Sequence, residues 1–150
     1  MKGPSIPSDD DIPGASLGTD SDGFFAWREQ PKRVAVVGAG YIAVELAGVL
    51  HSLNSETHLL IRHDSFLRNF DPIISDTLMQ YMGNTGLHVH KSTNVKRVEG
   101  ERGVPLTLHL ATGDEEEVGA LVWAIGRYPN TNTLGLKEAG VETDKGGNIV

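Results

Sequence analysis

A chain of 150 residues with a net charge of −7 and a pI near 5.3 is long enough for one domain with a proper core. Its basic residues are scattered except around Arg62 and Arg68, which excludes the basic face of a nucleic-acid binder. No apolar run approaches the ~20 residues that cross a bilayer, and the absence of cysteine excludes disulfides and thiol chemistry carried by these residues.

Residues 1–22 lack periodicity and carry prolines, glycines and acids, so they read as an extended leader or linker and not as a signal or transit peptide. Phe24, Phe25 and Trp27 follow as apolar groups available to dock against a neighbour. After Pro31, residues 34–37 form a short, wholly apolar strand that runs directly into Gly38-Ala39-Gly40-Tyr41-Ile42-Ala43. A helix is expected over 41–52, with Ile42, Leu46, Val49, Leu50 and Leu53 at helical spacing. Ala43 and Ala47, four apart on one face, let that helix lie close to the sheet. A second strand is expected over 57–61.

Asp71-Pro72 predicts a helix start, with Asp as N-cap and Pro at the first helical position. Ile74, Leu78, Tyr81 and Met82 form its expected buried stripe, and Gly83 and Gly86 its end. Residues 87–90 read as a third strand. Residues 95–98, 106–110 and 116–118 are short alternating segments separated by turns, the pattern of an antiparallel meander. The continuously apolar Leu121-Val122-Trp123-Ala124-Ile125 returns to the buried parallel sheet. Beyond Pro129 the chain is polar and glycine-rich, with a short strand expected over 147–150. The fold class is therefore α/β, a Rossmann-like parallel sheet with helices plus an antiparallel β-meander.

The glycine turn carries the first chemistry. In a βαβ unit the first glycine permits the tight turn, the second lets the backbone approach a pyrophosphate, and a third small residue lets helix and strand pack closely. Gly38, Gly40 and Ala43 fill these places, and the helix N-terminus adds unpaired N–H donors and partial positive charge. The residue closing the second strand decides the ribose preference: a carboxylate accepts from a 2′-hydroxyl, whereas an arginine accommodates a 2′-phosphate. Arg62 stands there, while Glu56 lies at the far end of the same strand. Arg68 can fold back over the loop, and His63 can add a hydrogen bond. These residues point to NADPH and not NADH; Asp64 would oppose a phosphate if it pointed inward.

Other positions are less specific. Spacing alone favours packing for Tyr41 and a solvated place for Glu45. His88 and His90 share a strand face and could form half a metal site, but the sequence places no third ligand beside them, so no metal is expected and a solvent-facing pair is favoured. His51, near a helix C-terminus, reads as a dipole contact.

The chain resembles the pyridine nucleotide–disulfide oxidoreductase family, and within it the NADPH-dependent branch that reduces glutathione disulfide. The resemblance rests on Val36 through Gly48, on Ile61-Arg62-His63-Asp64 with Leu67-Arg68 and Phe70-Asp71, and on Trp123-Ala124-Ile125-Gly126-Arg127. It extends to Ile12 through Ala15 and Gly18 through Phe25, which look like the family's connection from its FAD domain. The resemblance implies that Tyr41 gates the nicotinamide pocket, that Glu45 orients the carboxamide and pairs with a flavin-side lysine, that Ile125 and Gly126 contact the nicotinamide half, and that Arg127 faces the flavin. It implies a division into a linker remnant of the FAD domain (1–28), an NADPH-binding domain (29–128) and a tail returning toward the FAD domain (129–150).

The family's FAD fingerprint, redox cysteine pair and interface domain with its catalytic histidine have no counterpart here. The expectation is an excised domain, inactive by itself and holding no catalytic residue. Its parent would be cytoplasmic, with an organellar form left open, use NADPH and FAD on glutathione disulfide, and form a homodimer through a domain absent here. Branches acting on trypanothione or thioredoxin, and a non-catalytic dinucleotide-binding module, stay open.

Overall fold

A computed structural model of the protein describes residues 2–150. Its centre is a four-stranded parallel sheet built from β2 (Arg33–Val37), β3 (Glu56–Leu60), β4 (His88–His90) and β8 (Ala120–Trp123), in the order β4-β3-β2-β8. Helix α2 (Tyr41–Ser52) joins β2 to β3, and α3 (Pro72–Thr85) joins β3 to β4. The chain then forms an antiparallel meander of β5 (Val95–Glu99), β6 (Leu106–Leu110) and β7 (Glu115–Val118) before returning as β8 beside β2.

Two-faced burial explains why β2 is apolar throughout. Its side chains alternate across the sheet, as the pleat requires. Val34 and Val36 face the helices with Ala43, Ala47 and Leu50, while Ala35 and Val37 face the meander with Leu108, Val118 and Trp123. The meander covers the sheet face that a crossover helix covers in a doubly wound fold, so both layers stay dry. The expected mixed architecture, parallel sheet plus antiparallel meander, is present.

Several local expectations are corrected. The leader is packed, not extended. β1 (Lys2–Pro4) pairs antiparallel with β9 (Arg127–Pro129), an element the sequence pattern did not reveal. Ala15 is fully buried, and the Trp123 indole N–H donates to its carbonyl at 2.9 Å. Thr19 bonds Leu121 and Trp123 through its backbone, adding a bridge on the free edge of β8. The short α1 (Ser21–Phe24) is capped by Asp20, which accepts from the N–H groups of Asp22 and Gly23. Phe24 and Trp27 pack against the helical core; Phe25 is 79% exposed.

Helix α3 starts where Asp71 predicts, the carboxylate accepting from Ile73 N–H at 3.0 Å. It runs through Gly83 and stops at Gly86, whose φ of 89° is the left-handed cap. Its expected stripe is buried only at Met82. Ile74 and Tyr81 are exposed and Leu78 is partly buried. The reason is position: α3 packs on β4, a three-residue edge strand too short to cover a full helical face. Val49, late in α2, and Leu53, its C-cap, are also exposed. The strand expected over 147–150 is reduced to one bridge between Thr143 and Ile149.

The docked leader can be tested at Gly18, where an added β-carbon would lie 2.6 Å from Trp123 Nε1. Gly18→Ala is expected to displace the indole, break its bond to Ala15 and lower unfolding free energy by about 1–3 kcal/mol, the usual cost of overpacking. Urea denaturation of the variant measures it.

Candidate functional site

The sheet order changes direction at β2: the first crossover leads to β3 on one side, and β8 arrives on the other. A crevice opens outside the carboxyl ends of parallel strands at such a switch point. Here it is a cleft of about 830 Å³. One wall is the turn from Gly38 to Ile42, another is Ala124 to Arg127, and the far end is formed by Arg62, His63, Arg68 and Asn69.

The two glycines act differently. Gly38 has φ 145°, and a β-carbon there would sit 2.2 Å from the Ala124 carbonyl oxygen and 3.3 Å from the Ala43 β-carbon. It is bare because β2, β8 and α2 converge on it. Ala43, fully buried beneath the turn, is the small residue that permits this approach. Gly40 has ordinary extended backbone, and a β-carbon there would meet no protein atom within 4 Å. Packing therefore gives no reason for glycine at 40; open backbone at the mouth of the cleft is what a diphosphate needs. Gly40 is also the N-cap of α2 and offers no side-chain oxygen to the first N–H groups of the helix. Those donors and the positive helix end suit an anion.

The basic end is held by backbone geometry. Leu67 N–H donates to the Ala39 carbonyl at 2.8 Å, and the Ser75 hydroxyl donates to the Leu67 carbonyl at 3.1 Å. Thus the loop after β3 is tied both to the glycine turn and to the first turn of α3. Phe66 and Leu67 are buried, which holds Leu67 at φ 55°, a conformation costly for a side chain other than glycine. The anchors leave Arg62 and Arg68 exposed at the cleft, and neither guanidinium has an ion-pair partner among the described residues. Asp64 turns to Ser92, whose hydroxyl donates to its carboxylate, and does not line the cleft.

Ten of the twelve sequence-predicted residues therefore meet at one cleft: Gly38, Gly40, Tyr41, Ile42, Arg62, His63, Arg68, Ile125, Gly126 and Arg127. Tyr41 is 54% exposed at the mouth, so it is not the packing residue that spacing favoured. Ala43 lies beneath the turn, and Glu45 is exposed on α2 outside the cleft wall. Arg127 donates to the Ser21 hydroxyl at 3.3 Å, linking the return strand to the leader. Sequence reasoning missed Thr93 and Asn94, which line the cleft beyond β4. The Thr93 hydroxyl is buried and has no hydrogen-bond partner among the described residues. A polar triplet at 92–94, just past the carboxyl end of a parallel strand, was the available signal. Pro4, Pro7 and Ile12 also reach the cleft from the leader, a contribution invisible without the tertiary fold.

His88 and His90 are not a simple solvent-facing pair. His58 of β3 stacks against both rings, with centroids 4.8 Å and 5.1 Å apart, and Glu116 of β7 approaches from the meander.

A glycine turn at the switch point of a parallel sheet, opening a helix and facing a basic loop, defines a dinucleotide-type cleft. The chain belongs to the family described as pyridine nucleotide-disulphide oxidoreductase, whose model matches residues 3–150. Among curated relatives it is 52% identical over 140 residues to a glutathione reductase of Schizosaccharomyces pombe, covering 93% of this chain and 30% of that protein. It is 49% identical over 149 residues to a glutathione reductase of Yarrowia lipolytica, covering 97% and 31%. This chain thus spans under a third of the length of either relative. The HOCl-induced flavoprotein disulfide reductase RclA from Escherichia coli superposes with a TM-score of 0.81 at 28% identity, covering 98% of this chain and 33% of that one. The reduced CoADR-RHD of Bacillus anthracis shares the fold, with a TM-score of 0.80 at 22% identity over 97% of this chain and 27% of that one.

The division of labour between the glycines gives a contrast. Gly38→Ala is expected to lower unfolding free energy by more than about 1 kcal/mol, through clash and backbone strain together. Gly40→Ala is expected to stay within about 0.5 kcal/mol, because a poorer N-cap and a stiffer unfolded chain offset each other. Thermal melts of the two variants compare them.

Proposed function

We propose that this chain is the NADPH-binding domain of a FAD-dependent glutathione-disulfide reductase. The reading is supported by two guanidinium groups, free of ion pairs among the described residues, standing on the same cleft as the glycine turn. The likeness to the two yeast glutathione reductases supports the choice of branch. When bound, NADPH supplies the hydride that reduces FAD and, through it, a cysteine pair outside these 150 residues.

The chain's own residues bind and aim. Gly38 and Gly40 bring backbone to the diphosphate, and the α2 N-terminus offsets its charge. Arg62 and Arg68 hold the 2′-phosphate through paired N–H donors, with His63 adding a hydrogen bond. Tyr41, exposed at the mouth, covers the nicotinamide end and moves aside on entry. Glu45 orients the carboxamide and pairs with a lysine on the flavin side. Ile125 and Gly126 flank the nicotinamide half, and Arg127 faces the flavin. On this reading residues 1–28 connect from a FAD domain, 29–128 form the NADPH domain and 129–150 lead back. The parent acts as a homodimer on glutathione disulfide. Among the described residues no helix is long and apolar enough to cross a membrane.

Calorimetric titration of the chain with NADPH and with NADH tests the reading. NADPH is expected to bind more tightly. Arg62→Ala and Arg68→Ala are each expected to remove about 1.5–3 kcal/mol of that preference, as lost hydrogen bonds to a charged group. Equal affinity for the two nucleotides in the unaltered chain would sink the assignment.

A further inference from the structure

We infer that His58, His90 and Glu116 form a binding site for a divalent late first-row transition ion, for which zinc is the probe. The three residues come from β3, β4 and β7, and their ligand atoms converge where the sheet's edge meets the meander.

The position is unusual for its chemistry. His58 lies two residues before Leu60, on the sheet face that packs against the meander, where the apolar core gives way to a cluster of polar side chains. Its side chain is 4% exposed. A buried polar side chain carries more information than an exposed one. His58 Nδ1 lies 2.9 Å from His90 Nε2 and 3.6 Å from Glu116 Oε2, and His90 Nε2 lies 3.8 Å from Glu116 Oε1. Zinc at its usual 2.0–2.2 Å from nitrogen and oxygen places neighbouring tetrahedral ligands about 3.4 Å apart. The His58–His90 and His90–Oε1 separations lie on either side of that edge, and binding draws Oε1, not the Arg33-bound Oε2, toward His58. Two imidazoles and one carboxylate suit zinc and its neighbours. His90 is half-buried, so the cluster reaches the surface on its side.

The surroundings are arranged as a metal requires. A metal on His58 Nδ1 puts the ring proton on Nε2, where Glu56 Oε1 lies at 3.2 Å as acceptor, and the Arg33 Nε–H that donates to Nε2 at 3.1 Å then passes wholly to Glu56. That is the carboxylate–histidine–metal relay that orients metal-bound imidazoles. Arg33 fixes both carboxylates: its Nε is 3.1 Å from Glu56 and its Nη2 donates to Glu116 Oε2 at 2.8 Å. Glu116 Oε1 remains for the ion. With neutral imidazoles the cluster holds one more negative charge than positive. Burial holds both His58 and His90 below their ordinary values despite nearby carboxylates, which favours the neutral form. A second triad, Glu56, His58 and His88, shares His58, but it uses the exposed His88 and takes the carboxylate that the relay needs.

Titration of the full chain with zinc chloride, by calorimetry and by imidazole nitrogen NMR, tests the site. One equivalent is expected to bind saturably, shifting the His58 and His90 resonances together and leaving His51, His63 and His109 in place. His90→Gln is expected to weaken binding at least tenfold, whereas His109→Gln, in the exposed Glu99–His109–Glu115 cluster, leaves it unchanged. The NMR shifts of the unaltered chain decide the matter if His90→Gln fails to fold. Absence of saturable binding, shifts confined to His88 or His109, or binding unaffected by His90→Gln would each overturn the inference. Nucleotide binding is independent of this result.

Discussion

The contact between Gly38 and the Ala124 carbonyl is the constraint on which the molecule's working end depends. It exists because two parallel strands run out side by side, with Ala124 N–H donating to the Val37 carbonyl at 2.8 Å, and because α2 begins immediately beside them. Any side chain at position 38 would push these three elements apart. With them together, the cleft has a floor of main chain, and every predicted cofactor contact is a matter of what hangs over that floor. The helix, the return strand and the arginine loop all take their positions from it, the loop through a single backbone bond to Ala39.

The second layer shows how one fold accommodates two kinds of interior. On the helical side the sheet meets Leu, Val, Ala and Met with the fully buried Phe66, an apolar interior throughout. On the meander side the apolar core stops short of the edge strand, and its place is taken by His58 with Arg33, Glu56, Glu116 and His90. Nearly every nitrogen and oxygen of that cluster has a partner, which is the condition under which buried polar groups are tolerated. Its members lie on β2, β3, β4 and β7, so it clamps the parallel sheet to the meander along the sheet's edge.

What could be read from the sequence was what is local. The strand–glycine–helix unit, the Asp71-Pro72 cap, the meander and the apolar return strand each declare themselves within a dozen residues, through periodicity and turn chemistry. The cleft was legible for the same reason, since the glycine turn and the arginine loop are each continuous segments. Contacts over long separations were not. Ala15 carries no sign that it will accept a bond from Trp123, and the leader's prolines and acids mask a strand and two short helical turns. His58 lay unnoticed in an apolar strand because its partners are far along the chain at His90 and Glu116. The α3 stripe failed differently: helical spacing fixes which side chains share a face, but the width of the supporting strand decides how many of them are covered.

The anchoring of the basic loop also bears on how such a cleft can change over generations. Leu67 is tied to Ala39 by main-chain atoms, and Ser75 reaches only the Leu67 carbonyl, so the path of the loop does not depend on what stands at 62 or 68. Replacement at those two places alters charge at the rim while the scaffold keeps its shape. The rim can therefore be rewritten by drift at two surface codons, with no compensating repair to the path of the loop.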